Sequence, residues 1–352
     1  MNAPFALSRE HARKVDLHEP DEAKRIEAFV AEQGGSVFHR PAWLRAVEHG
    51  TGNRALGIVS EKDGAITGWL PLTEVHSPVF GRVLASSGFA VEGGVLADSE
   101  NAVRMLCDGA QELAVRLSCP SIELRGGNVS PDWQVQTESH CGFVQPLAGD
   151  DEAQLLQIPR KQRAEVRKGL KNDLRVTVGN EEKDHAAHYA VYAESVRNLG
   201  TPVFPRSLFD ATLDRLNADI LTVWQGETPV ASVLSLYHDG AVMPYWGGGT
   251  WAARGLRAND LMYYKLMLHA RERGCDRFDF GRSKTESGAY FFKKNWGFEP
   301  EPLSYASWTA PGHESRDADP TSAKHQARIA LWKKLPTALT NRLGPLIARG
   351  LG

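Results

Sequence analysis

The sequence has little of several features that would fix a function class at once. It has only four cysteines in 352 residues, and none stands in a C-x-x-C pair or beside a histidine at metal-ligand spacing. We therefore expect neither a disulfide framework nor a metal site, and we interpret the cysteines as reduced and mostly buried. The formal net charge of −2 and the 42% of hydrophobic residues are typical of globular protein and exclude a wholly disordered or collagen-like chain.

Long hydrophobic runs are also missing. The longest stretch without a charged residue, residues 240–253, is too short and too rich in glycine to cross a bilayer. The N-terminal residues contain no apolar segment before their first charges, so no secretory signal is visible and we expect a cytoplasmic location. A length of 352 residues favours two domains.

A weak internal repeat gives those two domains a fold class. Each copy predicts two strands joined by a Gly-containing turn, then an amphipathic helix and a further strand. The elements fall at 56–72, 103–117 and 121–127 in the first copy, and at 221–236, 259–273 and 277–282 in the second. Duplication of one α/β (α+β) domain, a mixed sheet flanked by helices, is the economical interpretation, and coincidence of two common motifs is the alternative.

Composition suggests where the domains end. A polar, helix-prone segment begins after Pro146 and Gly149, and regular patterning stops after Trp308. Residues 310–321 are rich in Pro, Gly, Asp and Ser, as in a linker. We predict an N-terminal domain at 1–146, a C-terminal domain at 147–309, and a linker with a basic tail at 310–352.

The densest motif lies near the end of the second copy. Ala289, Gly297 and Phe298 fit the A-x3-Y-x3-G-F pattern that closes the core of GNAT acyltransferases, with Lys293 at the tyrosine position. Residues 292–297 (FKKNWG) also match the F-K-x-x-F-G motif of the FemAB family, with Trp for the second Phe. Together with DFGRSK at 279–284, the chain resembles the FemAB-related proteins associated with PEP-CTERM/exosortase and exopolysaccharide gene clusters. The resemblance covers roughly residues 35–308 and is strongest over 240–302.

This resemblance implies two tandem GNAT-like domains and transfer of an acyl or aminoacyl group to a cell-envelope precursor, an exopolysaccharide or peptidoglycan intermediate. Lys293 then corresponds to the active-site lysine, which stabilises an oxyanion or holds a donor phosphate. Asp279 is the nearest candidate to accept a proton. The alternatives are a solvated lysine on a helix surface and a buried structural pair of Asp279 with Arg282.

Several nearby residues are candidates for binding substrate. Three glycines at 247–249 either allow a ligand to approach the backbone or form a wide turn. A usual GNAT carries Q/R-x-x-G-x-G/A at 254–259 to hold the coenzyme A pyrophosphate, but both glycines are absent here. We expect no tightly bound cofactor, and a donor that is aminoacyl-tRNA or acyl-coenzyme A. Candidate contacts are Tyr245 and Trp246 as pocket walls, Arg254, Asn259 as the cap of a helix, Arg282 and Tyr290.

Basic residues are concentrated in two places. Residues 158–175 hold seven Lys or Arg against two acids, including Arg160, Lys161, Arg163 and Arg167. Such a helix suits the phosphates of a nucleotide-linked sugar, a lipid diphosphate or tRNA, although the long helical arm of tRNA-using relatives is missing; a solvated basic face is the alternative. The tail, residues 323–352, mixes cations with Leu and Trp, which suits either an anionic inner-membrane surface or docking on the protein itself.

A hypothesis of another class also fits these charges. The chain could be a non-catalytic GNAT-like module that binds an anionic polymer, a lipid diphosphate or a nucleic acid. The two hypotheses differ in what they require of Lys293, since only the transferase needs it for chemistry.

Overall fold

The structure, a computed structural model, describes residues 10–77, 81–313 and 329–351. The chain divides into two compact units. Unit 1 comprises Met1–Thr137, Ser304–Ala318 and Arg349–Gly352, and unit 2 comprises Glu138–Leu303 and Asp319–Ala348.

Unit 1 is built on an eight-stranded mixed sheet in the order β1-β2-β3-β4-β6-β17-β7, with β5 paired to β3. Its strands are β1 (His11–Lys14), β2 (Arg54–Lys62), β3 (Ala65–Ser77), β4 (Gly81–Ser86), β5 (Leu96–Ala97), β6 (Ser121–Arg125), β7 (Gln134–Gln136) and β17 (Tyr305–Thr309). Its helices are α1 (Pro20–Glu32), a 3₁₀ turn (Val37–His39), α2 (Pro41–Thr51) and α3 (Glu100–Arg116).

Local chemistry explains the centre of unit 1. Asp63 and Gly64 join β2 to β3 with positive φ at both residues, 52° and 80°, as a tight hairpin turn requires. Helix α3 begins at Ser99, whose side chain accepts from the Ala102 N–H, and it connects β4 to the parallel strand β6. Leu106 on α3 is fully buried and belongs to the core over this sheet.

Unit 2 repeats this plan on a six-stranded sheet in the order β10-β11-β12-β13-β14-β9, beside a small sheet β15-β8-β16. Its strands are β8 (His140–Gly142), β9 (Val144–Pro146), β10 (Arg175–Gly179), β11 (Ala218–Gln225), β12 (Thr228–His238), β13 (Ala241–Gly249), β14 (Arg277–Asp279), β15 (Ser283–Lys284) and β16 (Glu301–Pro302). Its helices are α4 (Asp151–Gln157), α5 (Arg160–Lys171), α6 (Glu182–Leu199), α7 (Arg206–Arg215), α8 (Ala253–Leu256), α9 (Ala258–Glu272), α10 (Gly288–Asn295) and α11 (Thr337–Ala348).

The repeated order of hairpin, helix and parallel strand confirms the α/β fold class. In unit 2, helix α9 links β13 to the parallel strand β14, as α3 links β4 to β6 in unit 1. The fully buried Leu266 of α9 and Phe278 of β14 share one core cluster. Both helices thus bury an apolar face against their own sheet.

The unit boundaries differ from the predicted ones at both ends. Strand β9 pairs with β14 in the sheet of unit 2, so unit 2 begins at Glu138 rather than near residue 147. Strand β17 pairs with β6, so residues 305–309 lie in the sheet of unit 1 and not in a C-terminal domain. The partner of each strand decides which unit the strand belongs to, and composition does not predict that partner. Within the predicted linker and tail, residues 314–328 lie outside the described residues.

All four cysteines are free thiols. Cys107, Cys119 and Cys141 are buried and Cys275 is half-buried. Among the described residues, no group of histidine, cysteine and acidic side chains has the arrangement of a metal site. Within the same ranges, none of the helices has the length and apolar character needed to cross a bilayer.

Candidate active site in the second unit

The candidate site of unit 2 begins where β13 and β14 separate. β14 pairs with β13 at Ala241 and Val242, near the start of β13, which continues to Gly249. The register between β12 and β13 shifts at Tyr245, which is the extra residue of a β-bulge. A bulge bends its strand, and ligands of α/β sheets bind beyond the carboxyl ends of parallel strands. The gap between the two strands is therefore the expected cleft.

Lys293 is buried beside the loop that follows β14. It lies on α10, a helix that Ser287 caps by accepting from the Tyr290 N–H, and it is 8% exposed. Its Nζ donates to the carbonyl oxygens of Gly281 (3.0 Å) and Arg282 (2.8 Å). The third N–H of the ammonium has no hydrogen bond partner among the described residues. The interpretation of Lys293 as a solvated surface lysine is wrong.

Aromatic rings make the surroundings of Lys293 apolar. Its Nζ lies 5.2 Å from the ring centroid of Phe143 and 5.7 Å from that of Phe280. Burial lowers the pKa of Lys293 to about 8, an effect that Arg282 reinforces and Asp279 opposes. The side chain is therefore mainly an ammonium at neutral pH, held where water screens its charge poorly.

Asp279, at the end of β14, shapes the same loop. Its Oδ1 accepts from the Gly281 N–H at 2.8 Å, and Gly281 has a φ of +66°, which favours glycine. Burial raises the pKa of the Asp279 carboxyl, while the Gly281 N–H and Lys293 work in the opposite direction. Asp279, Arg282 and Lys293 are thus brought together around one turn.

The segment that replaces the coenzyme A loop keeps part of that loop's backbone geometry. Residues 253–256 form the short helix α8, and Arg257, at the position of the first missing glycine, has a φ of +56°. An ion pair of 2.7 Å joins the Arg257 Nε to the Glu165 Oε2 on α5. The turn therefore retains the left-handed residue but adds a side chain to it.

Asn259 does not cap the helix, which corrects the prediction. α9 begins at Ala258, its N-cap is Arg257, and Asn259 lies inside the first turn. The Asn259 Oδ1 is buried with no hydrogen bond partner among the described residues, and a Cβ on Gly249 would lie 2.4 Å from it. The Asn259 amide thus fills a space next to Gly249 of β13 that a glycine or alanine at position 259 would leave open.

Asp260 is a residue of this site that sequence reasoning missed. It lies in the first turn of α9 and accepts from the Gln162 Nε2 of α5 at 2.5 Å. Burial raises the pKa of its carboxyl, and Arg257 opposes that rise. The carboxylate lies at the N-terminus of the helix, where the helix dipole is positive. In a usual GNAT this end of the helix faces the pyrophosphate. An acid in the first turn of a predicted helix was the available signal.

The three glycines at 247–249 are explained by packing within the protein. A Cβ would lie 2.9 Å from Val233 at Gly247, 2.2 Å from Ser195 at Gly248, and 2.4 Å from Asn259 at Gly249. These overlaps involve the chain's own side chains, so close approach of a ligand is not needed to account for the glycines.

The aromatic residues of β13 have different roles. Trp246 is 5% exposed, and its ring packs against Phe209, with the centroids 4.8 Å apart. Trp246 is therefore a core residue, and its interpretation as a pocket wall is wrong. Tyr245 is half-buried at the bulge, so its side chain reaches the surface beside β13. Arg254 is exposed and lies over the ring of Trp251 at 4.4 Å, away from this core.

Helix α5 carries the predicted basic residues across the start of α9. The Asn172 Nδ2 at its end donates to the Leu256 carbonyl at 2.7 Å, and a Cβ on Gly169 would lie 2.9 Å from the Arg257 carbonyl. Arg160, Lys161 and Arg167 are exposed on this helix. Arg163 is half-buried and donates to the Ile158 carbonyl at 3.0 Å, so it holds the helix start together.

Tyr290 lies on the same helix as Lys293, three residues before it. It is half-buried on α10, and its ring meets that of Phe143 edge-on at 5.6 Å. Phe143 thus contacts both Tyr290 and the Lys293 ammonium, although no sequence motif pointed to it. In the sequence, Phe143 is simply an aromatic residue directly after β8, and composition does not distinguish such a residue from an ordinary core residue.

A second cleft lies within unit 1, at the start of α3. It has a volume of about 830 Å³ and is lined by Asp98, Glu100 and Arg104 together with residues 127–131. The Ser130 hydroxyl in this lining is buried with no hydrogen bond partner among the described residues. Two carboxylates at a helix N-terminus disfavour a pyrophosphate there. The repeat predicted the helix but not the cleft.

Part of the chain matches a known family, and the whole fold is similar to solved structures. Residues 159–294 match the family described as Acetyltransferase (GNAT) domain. A comparison with curated proteins finds no match. Among solved structures, FemX is 16% identical with a TM-score of 0.62, and the alignment covers 85% of this chain and 97% of FemX.

Two further structures are similar over most of the chain. A tandem GNAT protein from the clavulanic acid biosynthesis pathway is 10% identical with a TM-score of 0.56, covering 87% of this chain and 100% of that one. The C-terminal domain of a putative lysylphosphatidylglycerol synthetase from Agrobacterium fabrum is 14% identical with a TM-score of 0.54, covering 82% and 91%. The chain therefore has a tandem GNAT fold similar to that of FemX, and its residues 159–294 match the acetyltransferase (GNAT) domain family.

Proposed function

We propose that this protein transfers an acyl or aminoacyl group to an amine, or less readily a hydroxyl, of a phosphate-bearing cell-envelope precursor. The observation that carries the proposal is the buried ammonium of Lys293, which keeps one N–H without a partner among the described residues, next to the loop that follows β14. The similarity in fold to FemX and to a putative lysylphosphatidylglycerol synthetase supports a substrate of the cell envelope. An exopolysaccharide or peptidoglycan intermediate is the acceptor class that the sequence motifs favour.

In the proposed reaction, the acceptor nitrogen attacks the carbonyl carbon of an activated ester, and negative charge develops on the carbonyl oxygen. The Lys293 ammonium donates to that oxygen, where the apolar rings around it strengthen the interaction. Collapse of the intermediate forms the amide and expels the alcohol or thiol of the donor. Asp279 accepts the proton lost by the nucleophile and returns it to the oxygen or sulfur of the leaving group, and its raised pKa brings it closer to that of a working base.

The residues at the start of α9 affect which acyl donor can bind. Asn259 fills the space below Gly249, and the Asp260 carboxylate occupies the helix terminus. A coenzyme A pyrophosphate in the usual GNAT position would meet both groups and be repelled by the second. We therefore favour an aminoacyl ester over acyl-coenzyme A as donor, with no tightly bound cofactor. The exposed Arg160, Lys161 and Arg167 would then hold phosphates of the donor or the acceptor.

Transfer assays with Lys293→Met test the role of the lysine. Aminoacyl-tRNA and acetyl-coenzyme A serve as donors, and nucleotide-sugar peptide and lipid-diphosphate precursors as acceptors. The variant should lose 100-fold or more, as removal of an oxyanion donor typically does at roughly 10²–10³ in kcat. Lys294→Met, the exposed neighbour on the same helix, is the control and should retain activity.

The pH profile separates two roles of Lys293. An ammonium donor predicts that activity falls as the pH rises through about 8, where the side chain loses its proton. A neutral amine acting as base would give the opposite slope. Equal activity of Lys293→Met and wild type would refute the catalytic proposal.

Asp260→Asn tests the choice of donor. Removing the carboxylate frees the helix terminus, so coenzyme A should stabilise the variant against thermal unfolding more than it stabilises the wild type. Glu272→Gln, which removes an exposed acid from the last turn of the same helix, is the matched control. Strong stabilisation of the wild type by coenzyme A, unchanged in Asp260→Asn, would contradict the proposal.

The non-catalytic alternative rests on one observation, the exposed cations of α5. A module that only binds an anionic polymer, lipid diphosphate or nucleic acid would keep its affinity in Lys293→Met and show no transfer with any donor. Binding that falls steeply with salt, together with no turnover, would favour this function over transfer.

A further inference from the structure

The C-terminal helix α11 is seated on unit 2 through small residues. Thr340, Gly344 and Ala348 recur every four residues and are buried. A Cβ on Gly344 would lie 2.9 Å from the Val203 Cγ1, so the helix backbone approaches closely. Just before the helix, the Arg197 Nε of α6 donates to the Leu335 carbonyl at 2.8 Å. The described part of the tail is therefore docked on the protein, as one of the two interpretations expected.

The opposite face of the same helix is apolar and exposed. Leu339, Leu343 and Leu346 are 41%, 38% and 58% exposed. At about 100° of rotation per residue, these leucines point away from the buried stripe centred on Gly344. A docked terminal helix ordinarily turns its leucines inward and its polar residues outward. Here the arrangement is reversed, and the leucines need a second apolar partner.

The charges around this face have one sign. Lys333 and Lys334 precede the helix, Arg342 flanks the leucines on it, and residues 329–351 contain no acidic residue. Leu331, 64% exposed, adds to the apolar surface near the two lysines. A surface that combines exposed leucines with cations is complementary to a layer that is apolar inside and anionic outside.

We propose that α11 is an interfacial membrane anchor, held to the protein by its small-residue face and inserted into an anionic bilayer surface by Leu339, Leu343 and Leu346. The helix has 12 residues and is about 18 Å long, so it lies in the plane of the membrane. Its leucines reach the boundary between headgroups and acyl chains, while Lys333, Lys334 and Arg342 contact lipid phosphates.

Charge decides between the bilayer and a second copy of the chain. Two copies packed through this face would bring Arg342 and its neighbouring lysines against the same cations, which repel one another. Anionic headgroups provide the missing negative charge and the apolar layer at once. One face of α11 therefore packs on unit 2, and the opposite face of the same helix binds the membrane.

Sedimentation of the full-length protein with vesicles tests the anchor without any substrate, so its outcome is independent of the proposed transfer. Binding is compared on phosphatidylcholine vesicles and on vesicles with an equal share of phosphatidylglycerol. The anionic vesicles should bind more tightly, and added salt should weaken that binding. Each cation contributes roughly fivefold, so the charge variant K333Q/K334Q/R342Q should lose about 100-fold in affinity.

The leucine variant L339Q/L343Q/L346Q should lose at least tenfold in affinity and keep the circular dichroism spectrum of the wild type, because its side chains are exposed. Leu156→Gln, which changes a leucine of α4 that is 52% exposed, is the matched control and should bind like the wild type. Equal binding to the two kinds of vesicle, or unchanged binding by both variants, would overturn the proposal. So would self-association in light scattering that the leucine variant abolishes, because the face would then belong to a second copy.

Discussion

The burial of Lys293 makes the stability of the protein depend on pH in a defined window. Its pKa is about 8 in the folded protein against 10.5 for the unperturbed side chain. Below pH 8 both folded and unfolded states carry the proton, and burial of the charge disfavours the folded state by about 3 kcal/mol. Between the two pKa values the unfolded state holds more protons than the folded state. The free energy of unfolding therefore rises with pH through this window and levels off above it.

Comparison with Lys293→Met isolates this effect, because other titrating groups are common to both proteins. Urea unfolding followed by tryptophan fluorescence gives the free energy of unfolding from neutral pH to above 10.5. The wild-type value minus the variant value should rise by about 3 kcal/mol across the window. The rise, rather than the offset at neutral pH, is the test, since methionine also removes hydrogen bonds to two carbonyls.

Lys294→Met provides the control on the same helix. Lys294 is exposed, so its difference from the wild type should stay flat over the same pH range. A flat difference for Lys293→Met as well would show that Lys293 is hydrated and titrates near its ordinary pKa. The buried ammonium would then no longer support a role in stabilising an oxyanion.

Three further predictions concern other parts of the chain. Hydrogen bonds from Arg13 and Arg25 lower the pKa of Glu61 to about 2. The Glu61→Gln variant should therefore have a free energy of unfolding in urea about 2 kcal/mol below that of the wild type at neutral pH, and this difference should vanish as the pH falls from 4.5 towards 2. Gly127→Ala should lose about 1–3 kcal/mol more than Gly126→Ala in thermal unfolding, because both have positive φ but only Gly127 would place a Cβ 2.3 Å from a backbone oxygen. Arg167→Gln should weaken binding of a nucleotide-diphosphate sugar and flatten its salt dependence, whereas Arg163→Gln should lower stability by about 1 kcal/mol and leave that dependence unchanged.

The sequence predicts the repeated elements of this fold well because their signals are local. The Asp63-Gly64 turn, the spacing of apolar residues on α3 and the Gly274 stop after α9 each arise within a few neighbouring residues. Strand β17 is different. Its partner β6 lies about 180 residues earlier in the chain, and neither strand carries a local signal of that pairing. The predicted domain boundary failed for this reason.

The site shows the same division between local and distant causes. A motif of adjacent residues identified Lys293, and the order of the chain placed Asp279 near it. The carbonyls that bind the Lys293 ammonium lie 12 and 11 residues before it, but Gln162 of the helix that contacts Asp260 lies 98 residues before Asp260, and only the fold brings these two together. Trp246 shows the converse error, since a glycine-rich neighbourhood suggested a pocket where side chains from α7 fill the space.

The loop at 254–259 shows how a fold can keep a conformation after losing the sequence that usually requires it. Arg257 keeps the left-handed φ of the absent glycine, which is unfavourable by about 1 kcal/mol or more for a residue with a Cβ. Its ion pair with Glu165 and the close approach of Gly169 on α5 hold the turn from outside. Backbone geometry at this point is thus maintained by packing, which frees the side chains to change. The change put a carboxylate, Asp260, where a pyrophosphate is usually bound, so a different donor is the consequence we expect of this substitution rather than loss of the transferase fold.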